Sequence, residues 1–202
     1  MPRRTNAELS ESTRASLLAH ASKAFGTHGY AEAPLDEVAR AAGLTKGALY
    51  HHFGSKRGLF EAVLRDLERG IERAMDVALA AHPRSRRGLV AVGAAWLDAM
   101  LDAGARRIML LDAPAVLGHR AIRELDAQSA VRPLADLLAD LRRQGELTAD
   151  VDATAAAHLL VGALGEAALW IGETEHPLRA REAALGTLDR LLDGLAPRAV
   201  VP

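Results

Sequence analysis

Apolar residues recur every three or four positions along nearly the whole chain, with glycine and proline at the interruptions. This spacing is typical of amphipathic helices and predicts a first helix that Gly29 ends. Two short helices follow at Leu35–Ala41 and Lys46–Phe53, with Gly43 in the turn between them, and a long helix begins after Ser55. The predicted helices span about residues 10–28, 35–41, 46–53, 56–80, 86–101, 105–112, 121–143, 153–171 and 178–195.

The composition supports an all-α fold. Half of the residues are hydrophobic but only 3% are aromatic, so Ala, Leu and Val must build the core. Ala and Leu are good helix formers, and no β-branched run suggests a sheet. We therefore expect a three-helix head, residues 1–54, that a long helix joins to a helical effector-binding and dimerisation body, residues 55–202.

The segment 35–53 predicts a helix-turn-helix, because apolar residues at helical spacing pack one short helix against the other. On a helical wheel, Leu49, His52 and Phe53 lie on the inner side of the second helix. A helix this short can enter the DNA major groove by its N-terminal end while the first helix crosses the backbone. The residues on its outer side are Lys46, Gly47, Tyr50 and His51.

These outer residues suit contacts with DNA. Lys46 can reach guanine O6 and N7 or a phosphate. Gly47 and Ala48 let the helix backbone approach the groove floor, where Ala48 can touch a thymine methyl. The free N–H groups at the start of the long helix, next to Ser55, add an anion site. The side chains suited to phosphate oxygens are Tyr50, His51 and Lys56.

The spacing alone leaves DNA binding open. Helices joined by a glycine turn also occur in helical proteins that bind no DNA, and Tyr50 can be an ordinary surface aromatic. The charge distribution leans toward DNA: residues 1–58 hold eight Lys or Arg against five acids, which gives +3. The remaining 17 bases and 21 acids give −4, although imbalances of this size are common by chance.

Residues 29–60 also resemble a known family. Gly29-Tyr30 and the run LDEVARAAGLTKGALYHHFGSKRGLF at 35–60 are similar to the head of the tetracycline-repressor (TetR) family, a likeness that covers about residues 13–64. The resemblance implies a three-helix DNA-binding head and a helical effector-binding and dimerisation body. It also implies a homodimer on a palindromic operator in double-stranded DNA, typically a repressor that a small apolar effector releases.

The resemblance assigns roles within the helix-turn-helix. It implies base contacts from Lys46 to Ala48 and phosphate contacts from the side chains of Thr45, Tyr50, His52 and Lys56. The family usually carries Thr or Ser just before the second helix, where this chain has Ala33-Pro34. The usual hydroxyl cap is absent there, and Pro34 presets the first turn instead.

The body carries less specific signals. Residues 106–118 resemble a stretch from one branch of the family, which names no ligand. Scarce aromatic and methionine side chains can line an apolar effector cavity in which a few polar groups fix orientation. At helical spacing, however, such residues also suit plain core. The eight candidates are Met75, Trp96, Met100, Met109, His119, His158, Glu166 and Trp170.

The last two helices are the predicted dimer surface, because small residues on one and a leucine stripe on the other allow close twofold packing. The alternative is that both helices close the core of their own monomer. The residues concerned are Ala155, Ala156, Gly162, Ala163, Gly165, Leu185, Leu188, Leu191 and Leu192.

Other functional classes find little support. No metalloprotease, phosphate-loop or nucleophile motif occurs, and there is no cysteine, so we expect no enzyme, no cofactor and no metal site. A helical-bundle enzyme and a non-specific architectural DNA-binding protein remain the alternatives. Residues 1–9 lack the apolar core of a signal peptide, and the apolar stretch 159–169 is short and interrupted. We expect a cytoplasmic protein without a membrane partner.

Overall fold

The computed structural model describes residues 6–83 and 85–197, with side chains from residue 12 onward. Every regular element within those residues is helical, which confirms the all-α prediction. Two π-helical segments, π1 and π2, interrupt the α-helices. The elements are α1 (Asn6–Glu32), α2 (Leu35–Ala41), α3 (Lys46–Phe53), α4 (Lys56–Ala81), α5 (Arg86–Met100), α6 (Ala103–Arg106), π1 (Arg107–Asp112), α7 (Ala113–Leu117), α8 (His119–Asp126), π2 (Ala127–Val131), α9 (Arg132–Arg143), α10 (Ala153–Glu173) and α11 (Pro177–Asp193).

The first four helices follow the predicted pattern closely. Helices α2 and α3 have the predicted bounds, and Gly43 and Gly54 take φ values of 72° and 75°, where glycine has no steric penalty. Helix α1 differs at its end. Gly29 leaves helical geometry as predicted, with φ 76° and ψ 170°, but the chain resumes its helix as far as Glu32.

The body differs more from the prediction. A break was expected from Pro114 to Gly118, yet Pro114 lies in the first turn of α7 and the helix continues to Leu117. Proline lacks an amide hydrogen, and a first turn following the wider turns of π1 tolerates that loss. Gly118, with φ 90°, makes the actual break. The predicted helix 121–143 begins earlier, at His119, and π2 interrupts it.

Tertiary contacts divide the chain into two compact units. The first holds residues 6–70 and 103–116, a wider set than the predicted head, whose boundary after residue 54 stays a prediction. Its core is built around Phe25, whose ring meets Phe60 edge-on at 5.2 Å and stacks with Tyr30 at 6.0 Å between centroids. Leu17 and Leu49 are fully buried in this unit.

Within the first unit, α1 meets the segment 104–112 through two glycines. A Cβ added to Gly26 would lie 2.7 Å from the Gly104 Cα, so the two backbones touch without side chains between them. Arg107 donates to the Thr27 carbonyl at 3.2 Å and lies against Gly29, where an added Cβ would approach its Nη2 to 2.5 Å. Gly26 is therefore required for lack of space beside the Gly104 backbone, and Gly29 is required by its positive φ.

The second unit holds residues 71–83, 85–102 and 117–197. Helices α5, α9, α10 and α11 and segment π2 enclose its core. Arg181 of α11 makes a two-pronged ion pair with Asp98 of α5, at 2.5 Å and 2.7 Å. The buried core residues are Leu89, Val131, Leu138, Leu141, Leu147, Ala157, Leu188 and Leu192.

Helix α10 corrects one prediction. The apolar stretch at 159–169 was expected to be too short for a membrane span, but α10 is 21 residues long and apolar enough to cross a bilayer. Gly162 and Gly165 do not interrupt the helix, which explains the difference. Only 17% of its most apolar window is buried. A single helix of this length and composition does not by itself establish a membrane span. The feature to explain is the apolar face of α10 that its own protomer leaves uncovered.

Candidate nucleic-acid interface

The turn between α2 and α3 is held by backbone hydrogen bonds. Leu44 N donates to the Ala39 carbonyl at 2.8 Å, and Gly43 N donates to the Arg40 carbonyl at 3.0 Å. This pair of bonds is the Schellman arrangement, which needs a left-handed residue at the position of Gly43. The crossing of the two helices therefore depends on this glycine and on the small, buried Ala39.

Thr45 caps α3. Its hydroxyl oxygen accepts from Ala48 N at 3.2 Å, which satisfies one of the free donors in the first helical turn. The hydroxyl hydrogen stays available to a phosphate oxygen. Gly47 is exposed, and a Cβ added there would meet only the Thr45 hydroxyl, at 3.8 Å. The protein thus leaves open space in front of the residues predicted to approach the bases.

The helical wheel of α3 agrees with the structure. Leu49 is fully buried, and His52 and Phe53 are half-buried on the same side. The guanidinium of Arg14 lies over the Phe53 ring, 4.8 Å from its centroid, which fixes this side of α3 against α1. On the other side, His51 is exposed and Tyr50 half-buried. The predicted DNA-contacting side of α3 is therefore the uncovered one.

Lys46 begins α3 and is not free. Its ammonium donates to Asp36 Oδ2 in the first turn of α2, at 3.1 Å, and the side chains are 51% and 62% exposed. The hydrogen bond to the Asp36 carboxylate, helped by its negative charge, raises the pKa of Lys46 above its usual value. Lys46 is thus a cation at neutral pH, aligned by a carboxylate from the neighbouring helix.

Lys56 also has a partner in the protein. Its ammonium donates to the Ala31 carbonyl at 2.7 Å and lies 5.4 Å from the Tyr30 ring centroid. An ammonium has three donors, so a phosphate contact needs no break in this bond. Ser55 caps α4, because its hydroxyl accepts from Gly58 N at 3.0 Å.

Three contributors to this region were not foreseen from the sequence. Asp36 pairs with Lys46 from another helix, and Arg14 covers Phe53 from α1. Gly58 lets the start of α4 approach the end of α3, since an added Cβ would lie 2.1 Å from the Phe53 carbonyl oxygen. A glycine in the first turn of a predicted helix is a local signal for such an approach. The Asp36 and Arg14 contacts are tertiary and leave no local signal.

The predicted ligand-pocket residues differ widely in exposure. Met100 is fully buried and Trp96, Met75 and Met109 are half-buried, whereas His119 is exposed. The Trp96 indole N–H donates to the Leu164 carbonyl at 3.4 Å, which joins α5 to α10 inside the second unit. That contact supports a packing role for Trp96 beside any role in a cavity.

The other three candidates share the exposed face of α10. His158, Glu166 and Trp170 are exposed, Trp170 to 47%, on the face that also carries Leu159, which is 74% exposed. The remaining members of this α10 face are Ala155, Gly162 and Ala163. Residues predicted for the ligand pocket and residues predicted for the dimer surface thus occupy the same exposed face of α10.

The predicted leucine stripe of α11 is partly buried within its own protomer and partly exposed. Leu188 and Leu192 are buried in the core of their own unit, and Leu185 packs against it, which matches the alternative of a helix that closes the monomer. Leu191 is 60% exposed. Ala156 likewise packs against the core, while Gly165 is half-buried with no atom within 4 Å of an added Cβ. Part of each predicted dimer helix is therefore already used within the protomer.

Two family profiles match the chain. The one described as "Bacterial regulatory proteins, tetR family" matches residues 17–63, and "Tetracyclin repressor-like, C-terminal domain" matches residues 86–195. The first contains the whole α2–α3 region and the second most of the body.

Individual relatives agree with the profiles. The chain is 33% identical over 174 residues, 78% of each sequence, to the HTH-type transcriptional regulator TtgR of Pseudomonas putida. It is 35% identical over 86 residues, 43% of its own length and 41% of the relative's, to the HTH-type transcriptional repressor AcnR of Corynebacterium glutamicum. A crystal structure of a TetR-family transcriptional regulator from Pectobacterium atrosepticum superposes with a TM-score of 0.77 and 36% identity, covering 96% of this chain and 99% of the other.

Proposed function

Because the chain belongs to the TetR family of bacterial transcriptional regulators, we propose that it is a repressor that a small apolar effector releases from a palindromic operator. Regulators of this family bind DNA as dimers and respond to small molecules, and they are not enzymes. The observation that carries the proposal is the uncovered outer side of α3, which begins with a capped turn, a lysine and an unobstructed glycine. The repressor assignment is supported by AcnR, a relative described as a repressor.

We propose that α3 enters the major groove by its N-terminal turn. Lys46 donates to guanine O6 or N7, and Gly47 and Ala48 bring the backbone close to the bases. Phosphate contacts come from residues around this turn, and they give the binding a strong dependence on salt. The proposed phosphate-binding residues are Thr45, Tyr50, His51, His52 and Lys56.

The proposed dimer pairs α10 and α11 of two protomers. Its support is the exposed apolar face of α10, with Leu159 and Trp170, together with exposed Leu191 on α11. A twofold pair of protomers would present two copies of α3 about 34–36 Å apart, one turn of the duplex. The palindrome of the operator follows from that symmetry.

The proposed effector site is in the body and apolar. Trp96, Met100 and Met75 of the second unit are the candidates with buried or half-buried side chains. An effector must bind the DNA-free arrangement more tightly than the DNA-bound one, since a ligand with equal affinity for both shifts nothing. A change carried by the long helix α4 would then move the two heads out of register. A cytoplasmic location follows from the DNA partner.

The test begins by selecting the operator from randomised duplexes with the full-length protein. Affinity for that operator is then measured at one fixed salt concentration for Lys46→Ala and Tyr50→Ala. We expect each variant to lose at least about tenfold, since each removes a base or phosphate contact at both half-sites. Lys23→Ala, which removes an exposed lysine of α1 outside the proposed interface, is the charge-matched control.

Two outcomes would contradict the proposal. Unchanged operator affinity in Lys46→Ala and Tyr50→Ala would remove α3 from the interface. Equal affinity of the native protein for the selected operator and for random duplexes would indicate a non-specific architectural DNA-binding protein instead.

A further inference from the structure

The ion pair between Lys46 and Asp36 lies at the centre of the proposed interface. Lys46 is the first residue of α3, and Asp36 is the second residue of α2. The Nζ–Oδ2 distance is 3.1 Å, and both side chains are more than half exposed. A negatively charged side chain thus lies where phosphates and base edges are expected, in contact with the one cation of the base-reading turn 46–48.

The ion pair between Lys46 and Asp36 is weak enough for DNA to compete with Asp36 for the ammonium. Exposed ion pairs contribute little to stability, so a phosphate can compete for the ammonium of Lys46. The pair still sets a direction, since it holds a flexible side chain in one position before DNA arrives. The ammonium has three donors, and Asp36 occupies only one of them. Lys46 can therefore donate to guanine O6 or N7 while it keeps Asp36 as a partner.

We propose, resting on the proposed function, that Asp36 is a positioning residue that determines specificity by holding Lys46 toward the bases. On the operator, Lys46 donates to a guanine and to Asp36 together. On random DNA, the ammonium contacts a phosphate instead of a base, and the negative charge of Asp36 beside it repels that phosphate. Asp36 therefore weakens non-specific binding more than operator binding, and the ratio of the two affinities rises.

Glu37, the acid next to Asp36, makes it possible to distinguish the positioning of Lys46 from general repulsion between an acid and DNA. Glu37 lies in the same first turn of α2, is exposed, and has no ion pair with any side chain that the structure describes from residue 12 onward. Glu37→Gln and Asp36→Asn make the same change in net charge. They also remove the same favourable interaction of an acid with the start of α2. Only Asp36→Asn removes the negative charge from the partner of Lys46.

The experiment measures the affinities of five full-length proteins for the selected operator and for a random duplex of equal length, over a range of salt concentrations. The proteins are the native chain, Asp36→Asn, Glu37→Gln, Lys46→Ala and the double variant Asp36→Asn/Lys46→Ala. Thermal unfolding of each protein verifies that α2 and α3 remain folded.

We expect Asp36→Asn to bind random DNA about two- to fivefold more tightly for each head, the range that corresponds to an exposed ion pair. Its operator affinity should rise less, so the specificity ratio falls. Its salt dependence on random DNA should steepen, because Lys46 gains a phosphate. In the Lys46→Ala background, Asp36→Asn should act no differently from Glu37→Gln. Selection from randomised DNA should also show a relaxed preference at one base pair of each half-site.

The outcomes distinguish this inference from the proposed function. If the native protein prefers its operator and Lys46→Ala loses that preference, but Asp36→Asn and Glu37→Gln shift both DNAs equally, Asp36 is only a surface charge and the inference is wrong. The inference is also wrong if Asp36→Asn still lowers the specificity ratio when Lys46 has been replaced by alanine. If the native protein shows no operator preference, the proposed function itself fails.

Discussion

Helices α3 and α10 both leave one side uncovered, but the two sides differ in chemistry. The outer side of α3 is polar, with Lys46 and His51 around an unobstructed Gly47. The exposed face of α10 is mostly apolar, with Leu159 and Trp170 among alanines and glycines. The polar surface suits a hydrated, anionic partner that is bound and released. The apolar surface suits a partner that excludes water and stays.

The two surfaces also differ in how far contacts within the protomer hold their side chains in place. The side chains of α3 are prepared within their own unit: Thr45 caps the helix and Asp36 holds Lys46. The α10 face has no comparable polar arrangement among the contacts of the described residues, and its leucine and tryptophan depend on a second surface for burial. Each surface can therefore be disrupted separately.

The largest effect is expected on the α10 side. Leu159→Glu places a charge in the proposed twofold interface twice, while the protomer core is untouched because the side chain is 74% exposed. We expect a monomer by sedimentation at micromolar concentration. Operator affinity should fall at least about 100-fold, because two linked heads bind DNA far more tightly than one.

Thr154→Glu provides the matched control for this variant. It adds the same charge to an exposed residue of the same helix, roughly 115° away from the centre of the apolar face at 100° per residue. We expect a dimer with native operator affinity. A dimeric Leu159→Glu protein with native affinity would show that α10 is uncovered for another reason.

A smaller effect is expected on the α3 side. Gly47→Ala adds a methyl group that meets only the Thr45 hydroxyl, at 3.8 Å, so the free protein should be as stable as before or up to about 1 kcal/mol more stable. On the operator, the same methyl group should collide with the groove floor and reduce affinity about tenfold, roughly 1.4 kcal/mol. Thermal unfolding and operator titration measure the two effects separately.

Gly26→Ala provides the control, because it adds the same methyl group at a position that has no room for it. Its new Cβ would lie 2.7 Å from the Gly104 Cα, and backbone cannot yield as a flexible side chain can. We expect a loss of about 1–3 kcal/mol in the free energy of unfolding. If Gly47→Ala instead destabilised the free protein while operator affinity stayed native, the uncovered side of α3 would not be the DNA-binding side.

The smallest effect concerns a half-buried carboxyl group in the second unit. Burial raises the pKa of Asp126 above its usual value, so the folded protein binds this proton more tightly than the unfolded chain does. The protonated form therefore adds stability as the pH falls, and the charged form costs stability at pH 7. Asp126→Asn should raise stability at pH 7 by less than about 1 kcal/mol, given that the carboxyl is only half-buried.

Urea unfolding at pH 7 and at pH 4.5, at fixed protein concentration, tests this sign. The gain from Asp126→Asn should shrink at the lower pH, where the native carboxyl is increasingly protonated. Asp136→Asn removes one negative charge from an exposed residue of α9 and is the charge-matched control. A gain that grows as the pH falls would contradict the assignment.

The sequence predicted α2 and α3 to the residue because their ends carry local signals. Gly43 and Gly54 permit left-handed turns, and Thr45 is a hydroxyl cap at the first free amides. These signals act within a few residues, so periodicity and turn chemistry are sufficient. The Lys46–Asp36 pair joins two helices, and no rule of spacing within one helix contains it.

The body was less predictable for the same physical reason. Apolar periodicity identifies α10 and α11 as helices but does not say which apolar side faces its own core. Leu188 and Leu191 belonged to one predicted stripe, yet the first is buried in the protomer and the second is exposed. Pro114 does not break the helix, because the chain continues as a helix from π1 into α7, and π1 has no sequence signature.

The contact between Gly29 and Arg107 ties together two positions that are distant in sequence. The guanidinium occupies the space that a side chain at residue 29 would need, and its neighbour Asp112 accepts from the Tyr30 amide at 2.9 Å. A side chain at residue 29 would have to displace this guanidinium and would also have to adopt a φ of 76°, a conformation that residues other than glycine rarely take. In evolution, therefore, position 29 should remain glycine even in relatives whose residue 107 is smaller than arginine.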